Sequence, residues 1–242
     1  SGSAGVSGFV VMSTGVSTKG NSGALFVGSG TSTSGRGGSV YVTVGSGNSG
    51  VGGDVVLMAG TSSFAAGGQI YLSAGTSSVA SGGRILLQSG VGSATSSGVV
   101  GIMSANSGAA GVSGFVVMST GVSTKGNSGA LYVGSGTSTS GRGGAMSVTV
   151  GSGNSGAGGD VTFTAGGTSD ATLAAASGGQ IYMSGGTSAS QTGGRVLIRS
   201  GFSTAQTSGP LGLVTADSGS AGVSGFVVMS TGVSTKGNSG AL

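Results

Sequence analysis

Short apolar runs return along this chain at a fixed spacing of 15 residues, broken by one extra residue at the end of each cycle, before Phe115 and before Phe226, and once by an insertion. In the first cycle they begin at Phe9, Ala24, Ser39, Asp54, Gln69, Arg84 and Val99. In the second cycle they begin at Phe115, Ala130, Ala145, Asp160, Gln180, Arg195 and Pro210. A fixed period is the sequence signature of a repeat architecture, so it constrains the fold more than any short motif does.

A longer repeat contains the shorter one. Residues 1–25 and 218–242 are identical, and 107–131 differ from them only at Ala109, so the repeat units are about 1–106, 107–217 and a partial 218–242. The second unit is longer, and its extra residues fall within 166–177 among small and polar side chains. We expect a loop that bulges outward there and leaves the flanking runs undisturbed. We also expect the sequence to be a section of a longer protein in which the next unit stacks in the same register.

Each 15-residue coil, numbered from the first residue of its run, has large apolar side chains at the second and fourth positions. Positions two apart lie on one face of a β-strand. Glycine, which permits corners, is usual at the seventh position and closes every coil. The pattern predicts an all-β fold, one continuous parallel β-solenoid (β-helix) over 1–242, with about 16 stacked rungs. Its core is predicted to be two buried columns, namely Val10, Leu25, Val40, Val55, Ile70 and Ile85, and Met12, Val27, Val42, Leu57, Leu72 and Leu87.

The third position faces away from that predicted core, yet it is often apolar or aromatic. An exposed apolar stripe several rungs long usually meets a partner. We therefore expect lateral contacts with another copy of the chain, the alternative being aromatic rings that stack along the sheet in water. The residues of this stripe are Val11, Phe26, Tyr41, Val56, Tyr71, Leu86, Tyr132 and Tyr182.

A polar column occupies the first position of three successive coils in each cycle. It consists of Asp54, Gln69 and Arg84, and again of Asp160, Gln180 and Arg195. With rungs at the usual spacing of roughly 4.8 Å, the glutamine could hydrogen-bond both charged neighbours. We interpret each column as a charge-neutralising ladder, with a recognition site as the alternative.

The side chains that carry most enzyme chemistry are missing. The chain has no His and no Cys, and its acidic residues number 4, all of them Asp. Catalytic triads, Cys–His pairs and thiolate metal sites are therefore excluded, and we expect no enzyme, no cofactor and no small-molecule substrate. The 8 basic residues are spread thinly, which argues against a nucleic-acid surface. No apolar run approaches the length of a membrane span.

The V-x-[VLI] runs followed by glycine, with turns such as the TSTSG at 31–35, resemble the Gly/Ser/Thr-rich β-solenoid repeats of giant extracellular fibre and adhesin proteins. The resemblance covers the whole chain and is compositional. It implies an extracellular or cell-surface structural filament built from copies of the chain, joined end to end and along their sides. Two alternatives are an adhesin stalk and an ice-binding solenoid, since Thr31 with Thr33 and Thr137 with Thr139 match a Thr-x-Thr pair. A flexible Gly/Ser linker is a further alternative.

Overall fold

A computed structural model describes residues 7–169 and 177–241 of the chain. Across these two ranges the backbone forms no helix and no β-strand. The predicted parallel β-solenoid is therefore wrong, because stacked rungs require each coil to hydrogen-bond to the next. The backbone hydrogen bonds of the described residues join residues of the same coil, as between Gly68 and Gly60. They therefore form no ladder between coils.

The 15-residue period is nevertheless present in the backbone as a regular series of bends. The chain divides into two units, Ser1–Met118 and Ser119–Leu242, with the boundary in the first coil of the second cycle. The first unit bends at 18–20, 33–35, 48–50, 63–65, 78–80, 93–95 and 109–111. The second bends at 124–126, 139–141, 154–156, 189–191, 204–206, 220–222 and 235–237. Most bends fall at positions ten to twelve of a coil, within the small polar residues.

Three coils of each cycle fold their second half into a loop closed by a backbone hydrogen bond. In the fourth coil the Gly68 amide donates to the Gly60 carbonyl at 2.8 Å. The equivalent glycines of the fifth and sixth coils, and of the same coils in the second unit, do likewise. They are Gly75 with Gly83, Gly90 with Gly98, Gly166 with Gly179, Gly186 with Gly194, and Gly201 with Gly209. These are loops whose ends meet, and in the five whose tips are described the bend lies at the tip.

Other coils close the same loop with a side chain at the sixth position. The Thr14 hydroxyl donates to the Gly23 carbonyl at 2.9 Å, and the Ser29 hydroxyl donates to that of Gly38 at 2.8 Å. Ser104 with Gly114 and Ser135 with Gly144 repeat the contact, both at 2.8 Å. The third coil of each cycle has valine there, and no hydroxyl is available.

In most coils the glycine that ends the coil is favoured by close approach of other atoms. A Cβ added at Gly68 would lie 3.2 Å from the Gly60 amide nitrogen, and one at Gly53 would lie 2.7 Å from Val44 Cγ1. At seventh-position glycines such as Gly60 and Gly75, an added Cβ would lie in open space. A corner made by positive φ or by a tight bend was expected at both positions. In the described residues only Gly15 among these glycines has a positive φ, at 83°, and the bends fall between the two positions.

No residue in the described part of the chain is buried. The chain exposes 23801 Å², whereas a compact monomer of 22.0 kDa exposes about 9,300 Å² and an unfolded one about 32,000 Å². The two predicted core columns are therefore exposed. Val10 is 90% exposed, the other second-position residues of its column 51–55%, and the fourth-position residues 66–74%. The apolar pattern is real, but a single chain does not cover it.

The predicted bulge at 166–177 lies partly outside the described residues, which omit 170–176. Its two ends are described, and the Gly179 amide donates to the Gly166 carbonyl at 2.8 Å. This is the same closing bond that the shorter loops make. The apolar runs beginning at Asp160 and Gln180 are therefore separated by a longer loop that closes at the usual place.

Candidate interaction surface

The third-position stripe is the most exposed apolar feature shared by successive coils. Phe26 is 92% exposed, Tyr41 86% and Tyr71 85%, while the neighbouring second-position residues are about half covered. The remaining members lie between 67% and 92% exposed, namely Val11, Val56, Leu86, Tyr132 and Tyr182. The side chains expected to project from the chain thus do so, and no partner for them is part of the structure. Their role in assembly stays a prediction.

The polar columns lie on the same side of the chain as the stripe. Alternate residues of an extended segment share a side, and the hydroxyl of Tyr182 donates a hydrogen bond to Oε1 of Gln180, which places positions one and three together. Within the described ranges, no hydrogen bond or ion pair joins Asp54, Gln69 and Arg84 to one another. The charge-neutralising ladder stays a prediction, and the charges remain available for contact outside the chain.

The sequence pattern did not reveal the role of the sixth position, whose side chain can close the loop of its coil. Its Ser and Thr hydroxyls close loops in the first, second and seventh coils, through Thr14, Ser29 and Ser104. The available signal was a residue that is small or bears a hydroxyl in every coil except the third of each cycle, nine or ten residues before the closing glycine in the hydroxyl-closed coils. It was hidden because Ser and Thr are abundant throughout the loops.

Serine at the ninth position supports the bend in the backbone-closed loops. Ser62 Oγ accepts hydrogen bonds from the amides of Phe64 and Ala65, the latter at 3.0 Å. Ser77, Ser188 and Ser203 accept equivalent amide bonds in other loops of this class. A serine that bonds the backbone two or three residues ahead is a common way to fix a turn. Four of the six backbone-closed coils, the fourth and fifth of the first cycle and the fifth and sixth of the second, therefore carry two kinds of local hydrogen bond.

One open groove of about 450 Å³ lies in the sixth coil of the second unit. Its lining includes Arg199, Phe202 and Ser208, and the backbone bond between Gly201 and Gly209 spans its loop. No acid, histidine or cysteine lines it, so it holds no acid–base pair and no nucleophile–base pair. The described residues contain no group of three or more metal-ligating side chains. They also contain no helix with the length and apolar character that crossing a bilayer requires.

Comparison with known proteins gives no relative. No protein-family model, no curated protein and no solved structure matches the chain.

Proposed function

We propose that this chain is a structural protein that associates with copies of itself into a filament and performs no catalysis. The observation that supports the proposal is the periodic, exposed apolar surface. Every coil presents large apolar side chains at its second and fourth positions and most coils also at the third, and none of those described is buried. The chain has a mean hydropathy of +0.37, and its described residues form no buried core, so this surface is left to be covered by another molecule.

The energy available from covering the surface is large compared with the cost of association. Burying one large aliphatic side chain contributes about 1.5–3 kcal/mol and covers on the order of 100 Å². Three such side chains in a coil therefore supply roughly 300 Å². A stable interface buries about 800 Å² on each partner, so about three coils of one chain suffice. The chain has several times that number of coils.

A second copy is the partner that matches the spacing. The apolar runs recur every 15 residues over most of the chain, so another copy presents the same spacing and fits at many offsets of one coil. An unrelated partner has no reason to match it. Repetition of residues 1–25 at 218–242 carries the same surface from one unit to the next, which favours open-ended assembly over a closed pair.

The proposed location is extracellular or at the cell surface. It is supported by the compositional resemblance to giant fibre and adhesin repeats and by the scarcity of charged side chains, 5% of the chain. Low charge leaves little repulsion to keep copies apart.

Sedimentation and negative-stain electron microscopy over a range of concentrations test the proposal. We expect association that grows with concentration and elongated particles at the upper end. The test variant replaces third-position aromatics by serine, as in Phe26→Ser, Tyr41→Ser and Tyr71→Ser, and should weaken association. The matched control replaces equally exposed apolar residues at bend tips, Phe64→Ser and Val79→Ser, and should not. A wild-type chain that stays monomeric at every concentration would refute the proposal.

A further inference from the structure

The first position is charged in only a few coils of each cycle, and in a fixed order. The fourth, fifth and sixth coils begin with Asp54, Gln69 and Arg84, and the same order returns as Asp160, Gln180 and Arg195. Every other complete coil begins with an uncharged residue, namely Phe9, Ala24, Ser39, Val99, Phe115, Ala130, Ala145, Pro210 and Phe226. The order negative, neutral, positive is therefore a local feature of these three coils.

The same three coils are the ones closed by backbone hydrogen bonds. In the first cycle the closing bonds join Gly60 with Gly68, Gly75 with Gly83 and Gly90 with Gly98, at 2.8–2.9 Å. Charge order and loop closure are independent observations, and they coincide in both cycles. Each charged first-position residue thus begins a coil whose loop is held at both ends. The spacing from Asp54 to Gln69 and from Gln69 to Arg84 is 15 residues in each case.

Apolar side chains of the stripe accompany the charges on the same side of the chain. Val56, Tyr71 and Leu86 stand two residues after the three polar residues and are 70%, 85% and 67% exposed. The bond between Tyr182 and Gln180 in the second cycle shows that these two positions share a side. The surface of the fourth to sixth coils therefore combines a central tyrosine, flanking aliphatic groups and opposite charges at its two ends.

We propose that these coils form a two-fold, antiparallel contact with the same coils of a second copy. The proposal rests on the self-association proposed above and adds its orientation. An antiparallel copy centred on Gln69 and Tyr71 places each Asp54 opposite Arg84 of the other copy. A parallel copy in register places Asp54 on Asp54 and Arg84 on Arg84, which repels. The same surface patch on both partners is the general property of a two-fold interface.

The second cycle keeps the same order despite its insertion. Asp160 and Gln180 are 20 residues apart, but Gly166 and Gly179 close the longer loop with the usual bond. The extra residues therefore lie within the loop and not along the path between the two apolar runs. The column from Asp160 to Arg195 thus offers a second copy of the contact in each chain.

Neutralising both columns in the full-length chain tests the orientation. The variant D54N/R84Q/D160N/R195Q leaves net charge unchanged. An antiparallel contact loses two attractive ion pairs, so the dissociation constant measured by sedimentation equilibrium at low salt should rise about two- to thirtyfold. A parallel contact loses repulsion, and its association should tighten. Raising the salt concentration should reduce the difference from wild type, because exposed charges are screened.

A charge-swapped variant is the matched control. D54R/R84D/D160R/R195D reverses each column and keeps it complementary to an antiparallel copy, so it should associate like the wild type. If the neutral variant associates as tightly as wild type or more tightly, or if the swapped variant associates as weakly as the neutral one, the antiparallel contact is wrong and self-association stands. If wild type itself does not associate, both proposals fall.

Discussion

The fourth coil and the third coil close the same loop in different ways. In the fourth, Ala59 at the sixth position lets Gly68 come close enough to hydrogen-bond Gly60 at 2.8 Å. In the third, Val44 occupies that position, and one of its methyl carbons lies 2.7 Å from the point where Gly53 would carry a Cβ. The valine side chain fills the space that, in the fourth coil, is occupied by the hydrogen bond between Gly68 and Gly60. The width of one side chain thus selects between a hydrogen-bonded and a packed closure.

Residue type at the sixth position does not decide every case. Ser29 closes its loop through its hydroxyl, whereas Ser89 and Ser200 precede backbone-closed loops. Nothing in the structure explains why these serines differ.

The largest effect is expected from Gly194→Ala in a backbone-closed loop. An added Cβ lies 2.8 Å from the Gly186 amide nitrogen, and a backbone atom cannot yield as the end of a side chain can. The bond from the Gly194 amide to the Gly186 carbonyl should break, costing about 1 kcal/mol. Exchange of the residue-194 amide with deuterium should speed up accordingly. Gly186→Ala, with open space around its Cβ, is the control, and an equal response of both variants would contradict the mechanism.

Val44→Ala should give the third coil the backbone hydrogen bond that closes the loop of the fourth. With alanine at the sixth position, as at Ala59, the Gly53 amide gains room to bond the carbonyl of Gly45. We expect its hydrogen exchange to slow about two- to tenfold, the protection that one net hydrogen bond of roughly 0.5–1.5 kcal/mol gives. Val51→Ala removes an equally apolar but 99% exposed side chain and should leave that amide unchanged. If Val44→Ala also leaves it unchanged, valine is not what prevents the bond.

Ser29→Ala should have a smaller effect. It removes the 2.8 Å bond from the Ser29 hydroxyl to the Gly38 carbonyl. It also places at the sixth position the residue type found at Ala59 and Ala74, where the loop is closed by a backbone hydrogen bond. The loss, at most about 1 kcal/mol, is therefore partly offset. The carbonyl ¹³C shift of Gly38 should change while its amide becomes more protected. A loop that opens completely, with a faster-exchanging Gly38 amide, would show that the two closures are not interchangeable.

Shortening the longest loop should have the smallest effect. Removing five residues within 170–176 leaves a loop equal in length to that between Gly60 and Gly68. Closure entropy depends only logarithmically on length, so the gain for the bond between Gly166 and Gly179 is about 0.4 kcal/mol. Exchange of the Gly179 amide should slow by about a factor of two. A loss of protection there would mean that the inserted residues support the closure.

The sequence predicted the spacing and missed what the spacing builds. The 15-residue period, the glycine that ends each coil and the exposed third position, as at Tyr71, are all present in the structure. Alternation of Val40 and Val42 with Tyr41 shows which side chains share a side of the chain. It does not show what covers that side, because a neighbouring coil and a second molecule satisfy the same apolar pattern. The apolar pattern therefore does not distinguish pairing between neighbouring coils from contact with a second molecule.

The closing glycine was predicted to permit a corner, through positive φ or a tight bend. Gly68 has neither, and a Cβ there would instead lie against Gly60 and Ala59. Only a three-dimensional neighbour reveals such a requirement. The hydroxyl closure by Ser29 was missed for a related reason, since a single serine among many has no distinguishing sequence context.

The closed loops also determine how the chain responds to tension. Between Gly60 and Gly68 the 2.8 Å backbone bond closes a loop eight residues long, and the other loops of this class are closed in the same way by one backbone bond each. When that bond breaks under load, about 25 Å of slack is released. The loops can open singly and close again when the load falls, since each bond joins residues close in sequence. Stretching then dissipates work through successive weak bonds while the covalent chain remains unstrained.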